Sequence, residues 1–226
     1  MPAQLGDADL AGLSTPAQIE RTLDVLVANH GVADATVGLA RKHYEAKRGN
    51  VHQDEELWEI WSAGFVEWFV IERTTVTSGQ SIALTGAMHW RNSGDARTAT
   101  IALALATSHR SLFEIMAMRD GRVEVLDLLG GARFFVVEPR SMVGVEIGDV
   151  AELRLLGIDD DVYFAKTFVY HPKAARDDIV AHAQTVLRQG GDRLDAVDAI
   201  AVLRAYVPRY RHLPPARIYK MGSKLT

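Results

Sequence analysis

The sequence contains no cysteine, which excludes disulfides, thiolate metal sites and a cysteine nucleophile and fits a reducing compartment. No stretch reaches the roughly 18 apolar residues of a membrane span, and Met1–Leu13 lacks a basic region leading into an apolar run. The expectation is therefore a soluble, cytoplasmic chain with no membrane partner. Also missing are a Walker phosphate loop, a Gly-x-Gly-x-x-Gly dinucleotide fingerprint, a Gly-x-Ser-x-Gly elbow and a His-Glu-x-x-His zinc pair. The glycine doublets Gly130-Gly131 and Gly190-Gly191 read as turns, and no cofactor is implied.

What is present is an ordinary globular composition: 226 residues, 48% hydrophobic and 24% charged, enough for one large domain or two small ones. The net charge of −4 speaks against a general nucleic-acid binder, yet it is unevenly spread. From Arg204 onward come Arg204, Arg209, Arg211, Arg217, Lys220 and Lys224 with no acidic residue, so this segment is +6 and the remainder −10.

Helical signals open the chain. Thr15-Pro16-Ala17-Gln18 reads as a capping box with proline in the first turn, and Ile19, Leu23, Leu26 and Val27 share a face. Gly31 stops that helix, and a second runs from Ala33 to Lys47. Leu57, Ile60, Trp61, Gly64, Phe65, Trp68 and Phe69 recur at three and four, predicting an aromatic-rich packing helix from about Asp54 to Glu72. Gly64 leaves room for another backbone. After the turn Thr77–Gln80 and an apolar segment Ser81–Trp90, a helix over Ala96–Thr107 is apolar nearly all round, as for burial on most sides.

From Ser111 the period becomes two. Leu112–Met118 and Arg122–Leu128 flank Asp120-Gly121, a strong hairpin signal. Arg133–Glu138, Val150–Leu156 and Val162–Tyr170 follow, making five short strands that most simply curl into a small antiparallel barrel. Helices return around Ile179–Leu187 and Leu194–Tyr206, and the proline-bearing tail Val207–Thr226 reads as extended. The expected fold class is α+β: helices in residues 1–109, a five-stranded antiparallel barrel in 110–172, and C-terminal helices with a basic tail in 173–226.

Phe65-Val66-Glu67-Trp68-Phe69, Ser111–Ile115, Leu126–Gly131, Val136-Val137-Glu138 and Gly148-Asp149 together resemble a pattern in uncharacterised bacterial proteins, some of which carry a SEC-C zinc motif. The resemblance covers residues 56–172. It implies a bacterial origin and a helical region feeding a small barrel, and it implies no activity. The cysteine-bearing zinc segment is absent, so no role resting on it carries over.

Candidate chemistry is sparse. His30, His43, His52 and Glu55 supply the residue types of a zinc hydrolase but no fixed ligand spacing; an acidic first turn at Asp54-Glu55-Glu56 suits the helix dipole equally well. Ser108, His109 and Asp127 are the residue types of a nucleophilic triad, which only geometry can establish. Asp159-Asp160-Asp161 lacks the ligand spacing of a calcium loop. In the tail, Arg204, Tyr206, Arg209, Tyr210, Arg211, Arg217, Tyr219 and Lys220 interleave rings and cations, suiting either a protein partner, the chain's own acidic body, or phosphate contact and base stacking. The leading expectation is a non-enzymatic protein-interaction adaptor, with a nucleic-acid-associated factor second and a metal-dependent hydrolase third.

Overall fold

The computed structural model describes residues 5–29, 34–75, 78–140 and 142–222. His30, Gly31, Ala33, Thr77 and Lys224 lie outside them. Six helices lead: α1 (Asp7–Leu10), α2 (Thr15–Asn29), α3 (Asp34–Arg48), α4 (Trp58–Ile71), α5 (Ile82–Ser93) and α6 (Ala96–Ala106). The capping box at Thr15 is corrected. Thr15 is already helical, and the Gln18 amide donates back to the carbonyls of Leu10 and Leu13, both at 3.1 Å, tying α2 to α1.

The aromatic stripe of α4 is buried as its spacing predicts, with Trp61 1% exposed. The group that Gly64 admits is a side chain rather than a backbone: a Cβ there would lie 2.7 Å from the Tyr44 hydroxyl. Tyr44 packs against the rings of Phe65 and Trp68 at 5.5 and 5.6 Å. The apolar segment after Ser81 is helix α5, because the Ser81 hydroxyl accepts from the Leu84 N–H at 3.2 Å and caps its first turn.

Six strands follow: β1 (His109–Arg119), β2 (Arg122–Asp127), β3 (Arg133–Val137), β4 (Val150–Ile158), β5 (Asp161–Phe164) and β6 (Val169–His171). Asp120 and Gly121 both take positive φ, 53° and 70°, which is the backbone a two-residue hairpin needs. The expectation of five strands, all antiparallel, is corrected in two respects. The run Val162–Tyr170 breaks into β5 and β6, because the Thr167 N–H turns away to a carboxylate oxygen of Glu67 on α4 at 2.8 Å. One junction, β3 with β5 at Val136 and Val162, is parallel, so the sheet is mixed. The pairing order is β1-β2-β3-β5-β4-β6, and β4 also pairs with β1 along six residues, from His109–Leu155 to Glu114–Val150.

A three-ten turn (Lys173–Ala175), α7 (Arg176–Arg188), α8 (Arg193–Tyr206) and α9 (Pro215–Met221) complete the described chain. The extended tail is therefore corrected too: Pro215 suits the first turn of a helix, where its missing N–H would be unpaired in any case. One apolar cluster joins α1–α6 to Leu156, Ile158 and Val169 of the sheet and to Ala201 and Ala205 of α8. A second lies among β1–β5 (Phe113, Ile115, Val123, Val125, Val136, Leu153, Phe164). A third lies beneath α7, α8 and α9. No described helix is long and apolar enough to cross a membrane.

Candidate interaction site

The basic tail is the first place to look, and the structure builds most of it into the fold. The Arg204 Nε–H donates to the Tyr170 carbonyl at 2.6 Å. Arg209 forks onto Glu55 at 2.6 and 2.8 Å, and that guanidinium holds the Glu55 carboxyl down at about 2. The Tyr206 ring lies 5.7 Å beneath Arg209 and 5.9 Å from Tyr210. Arg211 donates to the Pro208 carbonyl at 3.1 Å. Tyr219 is buried with its hydroxyl 2.9 Å from His171 Nδ1, and Lys220 lies 3.6 Å from Asp178. Arg217 alone of the eight stands exposed without a polar partner of its side chain among the described residues. Of the five cations, Arg209 and Lys220 meet carboxylates of the chain and Arg204 and Arg211 meet backbone carbonyls.

The catalytic and metal candidates are likewise dispersed. His43 sits edge-on to Trp68 at 5.7 Å, while Glu55 is taken by Arg209 and by the His52 N–H at 2.7 Å. Among the described residues no group of three or more His, Cys, Asp or Glu is placed to hold a metal. His109 Nε2 does meet Asp127 at 2.8 Å, but Ser108 is turned elsewhere: its hydroxyl donates to the Leu105 carbonyl at 2.6 Å and accepts from Arg154 at 3.0 Å. Asp127 also accepts from the Ser111 hydroxyl at 2.7 Å and from the N–H groups of Leu129 and Gly130. Burial pushes its carboxyl up, and these hydrogen bonds more than offset that, leaving it below the usual range. Its geometry is that of a turn anchor. Asp159 and Asp161 pair with Arg97 and Arg122 at 2.8 and 3.2 Å.

Where helices meet sheet lies a buried ionic cluster that the sequence reading did not single out. Arg48 at the end of α3 reaches Glu152 of β4 and Asp198 of α8, each at 2.6 Å. Arg110 of β1 reaches Asp198 at 2.9 Å, Glu152 at 3.0 Å and, just past α4, Glu72 at 2.9 Å. Arg154 of β4 also bonds Glu72 and lies 3.6 Å from Glu67. Burial raises the Glu152 carboxyl, and Arg48 and Arg110 more than reverse it, holding it at about 2. The signal in the sequence was Glu152 and Arg154 alternating inside an otherwise apolar strand. With each of its charges paired inside the fold, the cluster acts as a joint between layers.

A further candidate is a groove of ≈ 430 Å³ between α5 and α6. Leu84, Ala87, Met88 and Arg91 line one wall, and Ala96, Ala99, Thr100 and Leu103 line the other. Each set has the 0, 3, 4, 7 spacing of one helix stripe, so two stripes face each other across the Gly94-Asp95 turn. Alanines make much of the floor, while Met88 and Leu103 rise from it 51% and 47% exposed. Leu103 thus lies on the open side of a helix that is otherwise buried on most sides, as expected. Arg91 is the one charged side chain in the lining, with no ion-pair partner among the described residues. The spacing Leu84-Met88-Arg91 was the available signal.

In comparisons with family models, curated proteins and solved structures, nothing matches this chain.

Proposed function

We propose that the protein is a non-enzymatic interaction module that receives an amphipathic helix of a partner protein in the α5–α6 groove. The facing stripes carry the reading. Two helices with small residues between them and large apolar residues at the rims provide the seat in which a third helix buries its apolar face through i, i+3, i+4, i+7 anchors. The lining holds no acidic residue and one unpaired cation, so the incoming helix bears an acidic residue where it meets Arg91. The strand order supports a finer picture of the scaffold, a small barrel closed by β1 pairing both β2 and β4, with the helices as an added layer.

The nucleic-acid reading draws support from Phe135, 58% exposed on β3, because strand faces of small barrels can stack bases. Against it, neighbouring Arg122, Arg133 and Arg140 pair with Asp161, Glu124 and Glu138, whereas phosphate binding draws on cations left to neutralise the backbone.

The test is capture from native lysate by the full chain and by a Met88→Glu, Leu103→Glu variant, each with and without nuclease. A partner that survives nuclease, is lost by the variant and crosslinks to a photoreactive group at position 103 is the expected result. Equal capture by both chains, or capture that nuclease abolishes, would overturn it.

A further inference from the structure

Inside the ionic cluster is a small cavity of ≈ 20 Å³ lined by Tyr44, Arg48, Gly64, Glu67, Glu72, Arg110, Glu152, Arg154 and Thr167, among others. The volume exceeds the roughly 10–15 Å³ that one water requires. Three of its lining residues present buried atoms with no hydrogen-bond partner among the described residues: Arg48 Nε, Arg154 Nε and Thr167 Oγ1. Arg48 and Arg154 are 2% and 4% exposed, and Thr167 8%. Arg110 Nε is also without a hydrogen bond, since its 2.9 Å approach to Glu72 is poorly aligned. A buried donor left unpaired is costly, more so when charged, so several around one void call for a common acceptor.

We propose that this cavity is a structural water site, with one water accepting from Arg48 and Arg154 Nε–H groups and exchanging a hydrogen bond with the Thr167 hydroxyl. Charge selects water over an ion. A cation would face three guanidinium groups, and an anion would face the carboxylates of Glu67, Glu72 and Glu152 in a cluster whose acids, with Asp198, already outnumber its arginines. A neutral molecule that both accepts and donates satisfies the arginines and can turn its own hydrogens to the carboxylates. Gly64 keeps this space open from the α4 side, where a Cβ would press Tyr44 and approach Thr167.

The test is a high-resolution crystal structure of the full chain, with a second data set from a crystal soaked in bromide and collected at the bromine edge. A single peak within hydrogen-bond distance of at least two of the three atoms, with no anomalous signal, is the expected result. An empty cavity, or an anomalous peak at that position, would overturn the proposal.

Discussion

Glu72 stands between two arginines that the sheet register forces together: Arg110 and Arg154 are direct cross-strand partners. Like charges opposite one another on a sheet repel, and Glu72 bonds both. Glu72→Gln keeps the shape and removes the charge. It should lower unfolding free energy by about 3 kcal/mol, since losing one member of a buried ionic group strands the rest; urea titration of both chains checks this. His171 gives a second prediction. Complete burial holds its imidazole at about 3 against an ordinary 6.5, so the native state refuses a proton that the unfolded chain accepts. Its contribution to stability is full above 6.5 and is lost as pH falls from there toward 3. Between pH 7 and pH 5 this amounts to about 2 kcal/mol. His182, held down by burial, adds in the same direction, and Glu152 joins below its ordinary 4.5. Denaturant titrations at the two pH values should show the loss in the natural chain and a flatter dependence in His171→Phe.

Among elements, α4 rests on one missing methyl group. Gly64→Ala drives a Cβ into the Tyr44 hydroxyl and should cost about 1–3 kcal/mol as overpacking. Adding Tyr44→Phe should recover most of it, because that hydroxyl makes only a long 3.4 Å bond to the Trp61 carbonyl; thermal unfolding of the single and double variants decides. The stripe around Gly64 was legible because aromatic spacing is a local property, as was the Asp120-Gly121 hairpin, whose turn chemistry sits in two residues. The break between β5 and β6 was not legible, since it depends on Glu67, a hundred residues earlier in the chain. Alternating Glu152 and Arg154 imply a solvent face for β4, yet both faces are covered. Their ion-pair partners are Arg48 of α3, Arg110 of β1, and Glu67 and Glu72 in and just past α4, and no sequence window contains them. The groove was half legible: its spacing is present in α5 and α6, while its openness depends on which helices leave those faces uncovered.

For the whole molecule, the basic segment is a clasp rather than an arm. Arg209 reaches back to Glu55, and Tyr219 fills the core beneath α7 and α8. Ending the chain at Tyr206 should therefore lower the thermal midpoint sharply and broaden the transition, where removal of a free arm would leave both unchanged; differential scanning calorimetry distinguishes the two. The double pairing of β1 also orders events in time. Its edge toward β2 closes through a two-residue turn, within microseconds for an isolated hairpin. Its other edge must wait for β4, whose docking also requires the carboxylates and guanidinium groups of α3, α4 and α8 to meet. Closure is thus a late, long-range step of the kind that slows folding. Until it occurs, β1 offers an open strand edge to any neighbouring chain. Dilution and low temperature during refolding should favour the monomeric route over aggregation at that stage.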